Sequence, residues 1–364
     1  MAKESLANSS ENNKRLTILC ASLSDVGHVN TVLGIAIALR RKNHRVVFAT
    51  DKSWEGKFAK FGIEEQLYNE IQYGDEKDEK NRNSIEQAAY LFEEFQKPLV
   101  DRLTNKSDIK RFINRVYGAV AQRDALLEIV SKVKPDVILF DNLVPFPCLI
   151  ETNLPLIYVF SANPLKAIDD ERLPPPFFGL PLNDSSEWFS KRKLFVEARK
   201  PFRDETNKIL REYNLPLLRE NRTQFVSTNL NVYVYPKPLM EDYLRLCPLG
   251  DEWIGLDHSI RESDESFELP PNFKSENDKL IFLSLGSIAS RLFQLMSRLV
   301  KILSKCKHKV IVVTGKFHDK YELANNMWGQ PFLPQLEVLP LVDLVITHGG
   351  NNTFIETLYF GKPM

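Results

Sequence analysis

The stretch LTILCASLSDVGHVNTVLGIAIALRRKNHRVVFAT, Leu16–Thr50, decides the fold class. Leu16 to Ser22 is an apolar run of strand length. The polar turn that follows carries Ser24, Asp25, Gly27 and His28. Val29, Val32, Leu33, Ile35, Ala36 and Leu39 then recur at helical spacing, and Arg40, Arg41 and Lys42 close the segment as cations close a helix C-terminus. Arg45 to Ala49 reads as a second strand. Strand, helix and strand within so few residues form a β-α-β unit, which requires parallel pairing.

Working outward, the same rhythm continues in VILF (Val137–Phe140), PLIYVF (Pro155–Phe160) and NVYVY (Asn231–Tyr235). GDEKDEKNRN, from Gly74 to Asn83, reads as a solvated loop, and LPPPFFGLPL, from Leu173 to Leu182, is barred from a helix interior by its prolines. From Asp257 to Lys279 the chain turns polar and charged with a Pro pair, the character of an interdomain linker. A second series follows: LIFLSLGS (Leu280–Ser287), a helix from about Ser290 to Cys306, KVIVVTG (Lys309–Gly315), LEVLPL (Leu336–Leu341), LVITHGG (Leu344–Gly350) and the helically spaced TFIETLYF. The expectation is an α/β protein with a disordered tail at 1–14, one domain at 15–256, a linker at 257–279 and a second domain at 280–364. About four strands by Met364, against the five or six of a doubly wound domain, together with the turn-like Gly361-Lys362-Pro363, lead us to expect an incomplete second domain.

With 364 residues, 43% of them hydrophobic, the chain supports two cores. Lys plus Arg and Asp plus Glu number 48 each, so the basic surplus of a nucleic-acid binder is missing. Cys20, Cys148, Cys247 and Cys306 are scattered without metal spacing and read as free thiols of a reducing compartment. The polar MAKESLANSSENNKR start lacks the apolar core of a secretory signal, and no apolar run reaches the ~18–20 residues of a membrane span. These features predict a cytoplasmic protein with neither a nucleic-acid partner nor a membrane span.

In LVDLVITHGGNNTFIETLYFGKP, from Leu341, a buried strand ends at Thr347 and His348, Gly349 and Gly350 allow a tight turn, and a helix begins near Asn352 or Thr353, both good N-caps. Free amides and the positive helix end make an anion site. Glu356, four residues beyond Asn352, lies on the same helix face, where its carboxylate could accept both hydroxyls of a ribose. The alternative is an ordinary capped helix with Glu356 solvated.

Phe332–Met364, with FLPQ, VL, THGGNN, E and GKP in order, resembles the donor signature of the family 1 UDP-glycosyltransferases. The resemblance implies two facing Rossmann-like domains of GT-B type. It implies stacking of uracil on Phe332 and reading of uracil or ribose by Gln335. His348 and Asn352 correspond to diphosphate ligands, Thr353 to a hydroxyl-bearing phosphate ligand and Glu356 to the ribose acceptor. Gly350 permits close backbone approach, and Ser287 matches a serine that contacts phosphate. Phe332 and Asn351 stand where many plant members have Trp, and the Asp-Gln pair that grips the sugar would fall beyond Met364.

Asp25–Asp51 is similar to the family's N-terminal signature, and Pro135–Pro147 to the segment carrying its partner aspartate. The match makes His28 the catalytic base and Asp141 its partner. A neutral imidazole must take the proton of a poorly nucleophilic hydroxyl, and a carboxylate on the far ring nitrogen fixes the tautomer. A helix start just after His28 is expected to disfavour imidazolium. The expected activity is inverting transfer of a hexosyl group, of glucose or glucuronate class, from a UDP-sugar to a hydroxyl of a small lipophilic acceptor. It is expected to need no cofactor and no metal, and the chain as it stands is expected to be poorly active. Tyr68, Tyr73, Tyr90, Phe92, Phe95, Phe177, Phe178, Trp188 and Phe189 are candidates for an apolar acceptor pocket or for plain core. His44, His258, His308 and His318 read as surface or structural. A nucleotide-sugar epimerase of the same fold and an inactive UDP-sugar-binding fragment are the alternatives.

Overall fold

The computed structural model describes residues 14–71, 73, 85–168, 170–220, 222–263 and 265–364. Residues 1–13 of the expected tail and the expected loop at 74–83 lie outside them. Two parallel sheets organise the chain. The first joins β1 (Thr17–Ser22), β2 (Arg45–Asp51), β3 (Glu64–Tyr68), β4 (Val137–Asp141), β5 (Leu156–Phe160), β6 (Leu230–Val234) and β7 (Trp253–Leu256) in the order β3-β2-β1-β4-β5-β6-β7. The second joins β8 (Leu280–Ser284), β9 (Lys309–Val313), β10 (Met327–Gln330) and β11 (Leu344–Thr347) in the order β10-β9-β8-β11. Every pairing in both sheets is parallel.

The near-continuous apolar strands follow from burial on both faces. Along β1, Leu19 and Ala21 enter one core with Val47, Ile138 and Phe140, while Ile18 and Cys20 enter the opposite core with Val46, Phe48 and Leu139. The second sheet is likewise covered on both sides, by Met296 and Val300 on one face and Leu333, Val338 and Leu339 on the other. Order reverses between β1 and β4 in the first sheet and between β8 and β11 in the second. Crossovers leave in opposite directions at such a switch point and open a crevice at the carboxyl ends of the strands. His28 and Asp141 fall at the first crevice, Ser287 and His348 at the second.

Several expectations are corrected. LEVLPL is not a strand: Gln335–Val338 is a short helix and Leu339–Leu341 a 3-10 turn, and the edge strand is the preceding Met327–Gln330. Pro334 and Pro340 bracket LEVL and remove the amides a ladder would need. The helix expected from Ser290 to Cys306 is Phe293–Leu303, preceded by a separate turn at Gly286–Ala289. Helices at Lys106–Ala121, Arg123–Val133 and Trp188–Glu212 fill stretches whose sequence reads as irregular. Cys20, Cys148 and Cys247 are buried free thiols, and Cys306 is half-buried. No helix among the described residues is long and apolar enough to cross a membrane.

The segment after β7 holds neither helix nor strand among its described residues up to Lys279, yet it is packed rather than loose. Phe267, Leu269 and Phe273 lie on the core of the second sheet. Ser259 runs against the Val26–Arg41 helix so closely that a Cβ on Gly34 would stand 1.9 Å from the Ser259 carbonyl oxygen. Gly34→Ala gains about 1 kcal/mol of helix propensity, but the clash forces backbone apart. We expect a net loss of about 1–3 kcal/mol, read as a lower urea midpoint. An unchanged midpoint would show that the segment yields freely.

Candidate active site

The first helix begins at Val26, immediately beyond the turn after β1, so His28 sits inside its first turn. Asp141 ends β4, in register with Ser22 of β1, and is 1% exposed. The His28 Nδ1 atom lies 2.9 Å from Asp141 Oδ1 and 3.0 Å from Ser161 Oγ, at the end of β5. A carboxylate accepts and cannot donate, so Nδ1 carries the proton and Nε2 is the unprotonated nitrogen of the neutral ring. Asp141 Oδ2 is buried and has no hydrogen-bond partner among the described residues.

Burial is the largest influence on His28 and opposes the imidazolium, and Arg115 opposes it further. The charge and hydrogen bond of Asp141, with the charge of Asp25, outweigh both, and the net shift is upward from the ordinary value. The net shift runs opposite to the suppression expected from the helix start: the two carboxylates outweigh burial and Arg115.

The other candidates gather around the Asn351–Tyr359 helix, whose N-cap is Gly350 without a side-chain cap, rather than Asn352 or Thr353. Asn352 instead turns to the first domain. Its Nδ2 donates to Gly27 O at 3.0 Å and its Oδ1 accepts from Thr31 Oγ1 at 3.1 Å. Asn351 Nδ2 donates to Ser161 O. Ile355 and Phe354 complete the seam by packing on the core around Val29 and Val32.

Glu356 is 4% exposed and is not solvated. Arg261 Nη1 donates to its Oε1 at 2.7 Å, and Gln335 Nε2 donates to its Oε2. Gln335 Oε1 accepts from Ser284 Oγ and Thr353 Oγ1, each at 3.3 Å. Gln335, Thr353 and Glu356 are thus one network, and both oxygens expected to meet a ribose are already engaged. Phe332 and Ser287 are exposed, and His348 is exposed at the turn. A Cβ on Gly286 or Gly350 would stand 2.7 or 2.5 Å from His348 Cε1, so these glycines make room for the imidazole. Partial desolvation lowers the pKa of His348.

A cleft of about 500 Å³ opens at the carboxyl ends of the first sheet, against the Lys106–Ala121 helix. Of the aromatic residues proposed for an acceptor pocket, Tyr73 lines it. Tyr68 and Trp188 are buried, Phe92 packs on the core of the second sheet, and Phe189 is 82% exposed. The walls are otherwise largely polar. Sequence reasoning passed over Ser161, Arg261 and the cleft residues Asp51, Arg115 and Gln122. Ser161 alone carried a signal, being the first polar residue beyond a buried strand.

Residues 280–364 match the family model described as the glycosyltransferase family 28 C-terminal domain. The uncharacterized UDP-glucosyltransferase YojK of Bacillus subtilis is 29% identical over 131 residues, which span 35% of this chain and only 31% of that relative. The NDP-glycosyltransferase YjiC of Bacillus licheniformis is 23% identical over 350 residues, covering 93% of this chain and 76% of YjiC. The glycosyltransferase SsfS6 of Streptomyces sp. SF2575, complexed with thymidine diphosphate, superposes with a TM-score of 0.55 at 17% identity, covering 96% of this chain and 81% of SsfS6. The architecture is of GT-B type, with two Rossmann-like domains.

The electrostatics of His28 predict an NMR titration midpoint above the ordinary value of about 6.5. Its pairing stabilises the fold fully below that ordinary value and is lost as pH rises through the folded midpoint. In Asp141→Asn the midpoint falls to or below about 6.5, because burial then acts against a weaker opponent. A wild-type midpoint in that variant would remove Asp141 as the cause.

Proposed function

We propose that the chain transfers a hexosyl group, of glucose or glucuronate class, from a UDP-sugar to a hydroxyl of a small, partly lipophilic acceptor, with inversion at the anomeric carbon. The observation that carries this is the His28–Asp141 pair set one hydrogen bond away from the Asn352 helix start. His28 Nε2 takes the acceptor proton while the acceptor oxygen bonds to the anomeric carbon. The bond from that carbon to the diphosphate oxygen breaks, and the nucleoside diphosphate leaves with the electron pair. Asp141 holds the ring and stabilises the imidazolium as it forms.

On the donor side, amides at the start of the Asn351–Tyr359 helix, with His348, Asn352, Thr353 and Ser287, take the diphosphate. Phe332 supplies a face for the base, and Gln335 and Glu356 take the ribose once Arg261 yields. Helix amides supply the neutralisation, so the reaction as drawn needs no metal. Phe presents less stacking area than Trp, so discrimination between uracil and thymine is expected to be modest. The engagement of Glu356 by Arg261 is the one observation favouring a second reading, a nucleotide-sugar binder that does not turn over.

His28→Ala is expected to lower kcat by ~10²–10⁴-fold while leaving the Kd for UDP within about threefold, since the imidazole belongs to the acceptor side. UDP release from UDP-glucose or UDP-glucuronate with phenols and aliphatic alcohols reads the first, and calorimetric titration with UDP the second. Undiminished turnover in the variant would end the assignment of the base; tight UDP binding without turnover in the wild type would leave the binder reading.

A further inference from the structure

We propose that the adjacent pair Asn351 and Asn352 holds His28 from two sides, with Ser161 relaying the second hold to the imidazole ring. Ser161 and Asn351 are thereby positioning residues, through which the placement of the second domain's helix start aligns the base. The inference rests on His28 being the base of the proposed transfer, and adds what sets its orientation.

The first hold is on the backbone. Asn352 Nδ2 donates to Gly27 O at 3.0 Å, and Gly27 directly precedes His28. Thr31 Oγ1 lies 3.1 Å from Asn352 Oδ1, so the carboxamide is anchored to the first helix at both of its ends.

The second hold is on the ring. Asn351 Nδ2 donates to Ser161 O, with a longer contact of 3.5 Å to Val234 O. Phe160 pairs with Tyr233, so Ser161 and Val234 stand side by side where β5 and β6 run out. One carboxamide from the second domain reaches both carbonyls. Ser161 is 6% exposed, and its Oγ lies 3.0 Å from His28 Nδ1, which Asp141 Oδ1 meets at 2.9 Å. The carboxylate can only accept, so Nδ1 keeps its proton and Ser161 Oγ is the second acceptor. A single hydrogen bond lets the imidazole swing about it, and Nε2 swings with the ring. Two acceptors at one N–H fix the ring plane and the direction of the Nε2 lone pair.

Apolar contacts keep the helix start in register with this edge. Phe354, one turn beyond Asn351, stacks on Tyr235 with ring centroids 5.8 Å apart, and Tyr235 directly follows Val234. Phe354 and Ile355 also pack on the core of the first domain. A shift of this helix start therefore moves the Gly27 and Ser161 holds together. A displacement of about 1 Å at a reacting group costs on the order of 10²-fold in rate, so both holds bear on turnover.

Ser161→Ala, Ser161→Thr, Asn351→Leu and the Ser161→Ala/Asn351→Leu double variant test the relay. With UDP-glucose and 4-ethylphenol, Ser161→Ala is expected to lower kcat about tenfold and to leave the KM for UDP-glucose within about threefold. Ser161→Thr restores most of the loss, and Asn351→Leu lowers kcat in the same way. In the ligand-free protein the NMR titration midpoint of His28 falls in Ser161→Ala, because a hydrogen bond to the charged ring is lost. It falls by a smaller step in Asn351→Leu, a position that acts on the ring through Ser161. Asn351→Ala serves in its place if the leucine variant does not fold. Asp25, Asp141 and Arg115, the charged groups acting on the ring, are unaltered throughout. Once Ser161 is alanine, the Asn351 substitution adds nothing to the midpoint shift. A raised KM for UDP-glucose with kcat intact makes Ser161 a donor contact and overturns the relay. A wild-type midpoint in Asn351→Leu, or a further shift in the double variant, overturns it too. The midpoints require no turnover: if no phenol is glucosylated, shifts in this pattern sustain the relay while the transferase reading falls.

Discussion

Two helix starts meet through Asn352, whose Nδ2 donates to Gly27 O and whose Oδ1 accepts from Thr31 Oγ1, and the geometry of the site follows from that contact. Each helix follows a strand beside a switch point in its own parallel sheet, so each brings unpaired amides and a positive dipole end to the carboxyl edge. Bringing two such ends together is unfavourable unless something negative or strongly accepting lies between them. Asn352 answers part of this by supplying a carboxamide where a second set of amides would otherwise face the first. On the proposed reading, the amides left over are the ones that take the diphosphate. The junction is closed underneath by Ile355 and Phe354, which continue the core of the first domain.

That junction also explains why His28 needs Asp141. A histidine in the first turn of a helix, largely enclosed and near Arg115, would be a weak base with no fixed tautomer. Asp141, at the end of the neighbouring strand, reverses the balance and orients the ring through Nδ1. Ser161 adds a hydroxyl at the same nitrogen, and Asn351 grips the carbonyl of that serine. The second domain therefore touches the residue that touches His28. A raised pKa has a cost: a larger fraction of the imidazole is protonated at neutral pH, and the remaining neutral fraction is a stronger base.

Much of this was legible because it is local. The Leu16–Thr50 unit shows its strands and helix through period and turn residues, and the same unit contains His28. Asp141 and His348 were marked by their place at the ends of buried strands. The partnerships formed across domains were not legible. Arg261 sits in a charged stretch that looks like any solvated linker, and only the fold brings it to Glu356, 95 positions away. LEVLPL has the apolar content of a strand, and tertiary packing against β8 and β9 settles it as helix. Gln122 and Asp51 lie on different elements, and no spacing in the sequence relates them.

On the proposed reading, the Arg261–Glu356 pair sets donor binding against domain contact. Both partners are largely buried, with side-chain exposures of 19% and 5%, so neither charge is easily left alone. A ribose that takes the Glu356 oxygens must release a guanidinium, and the guanidinium belongs to the segment that packs on the first helix at Gly34. Displacing Arg261 therefore loosens the contact between that segment and the last helix. Ribose hydroxyls are neutral donors and replace the lost hydrogen bonds without replacing the charge, so they alone are a poor exchange. A diphosphate at the helix start offers a second attraction for the same arginine. A donor carrying both groups has the means to move Arg261; a nucleoside alone lacks the group that would draw it away.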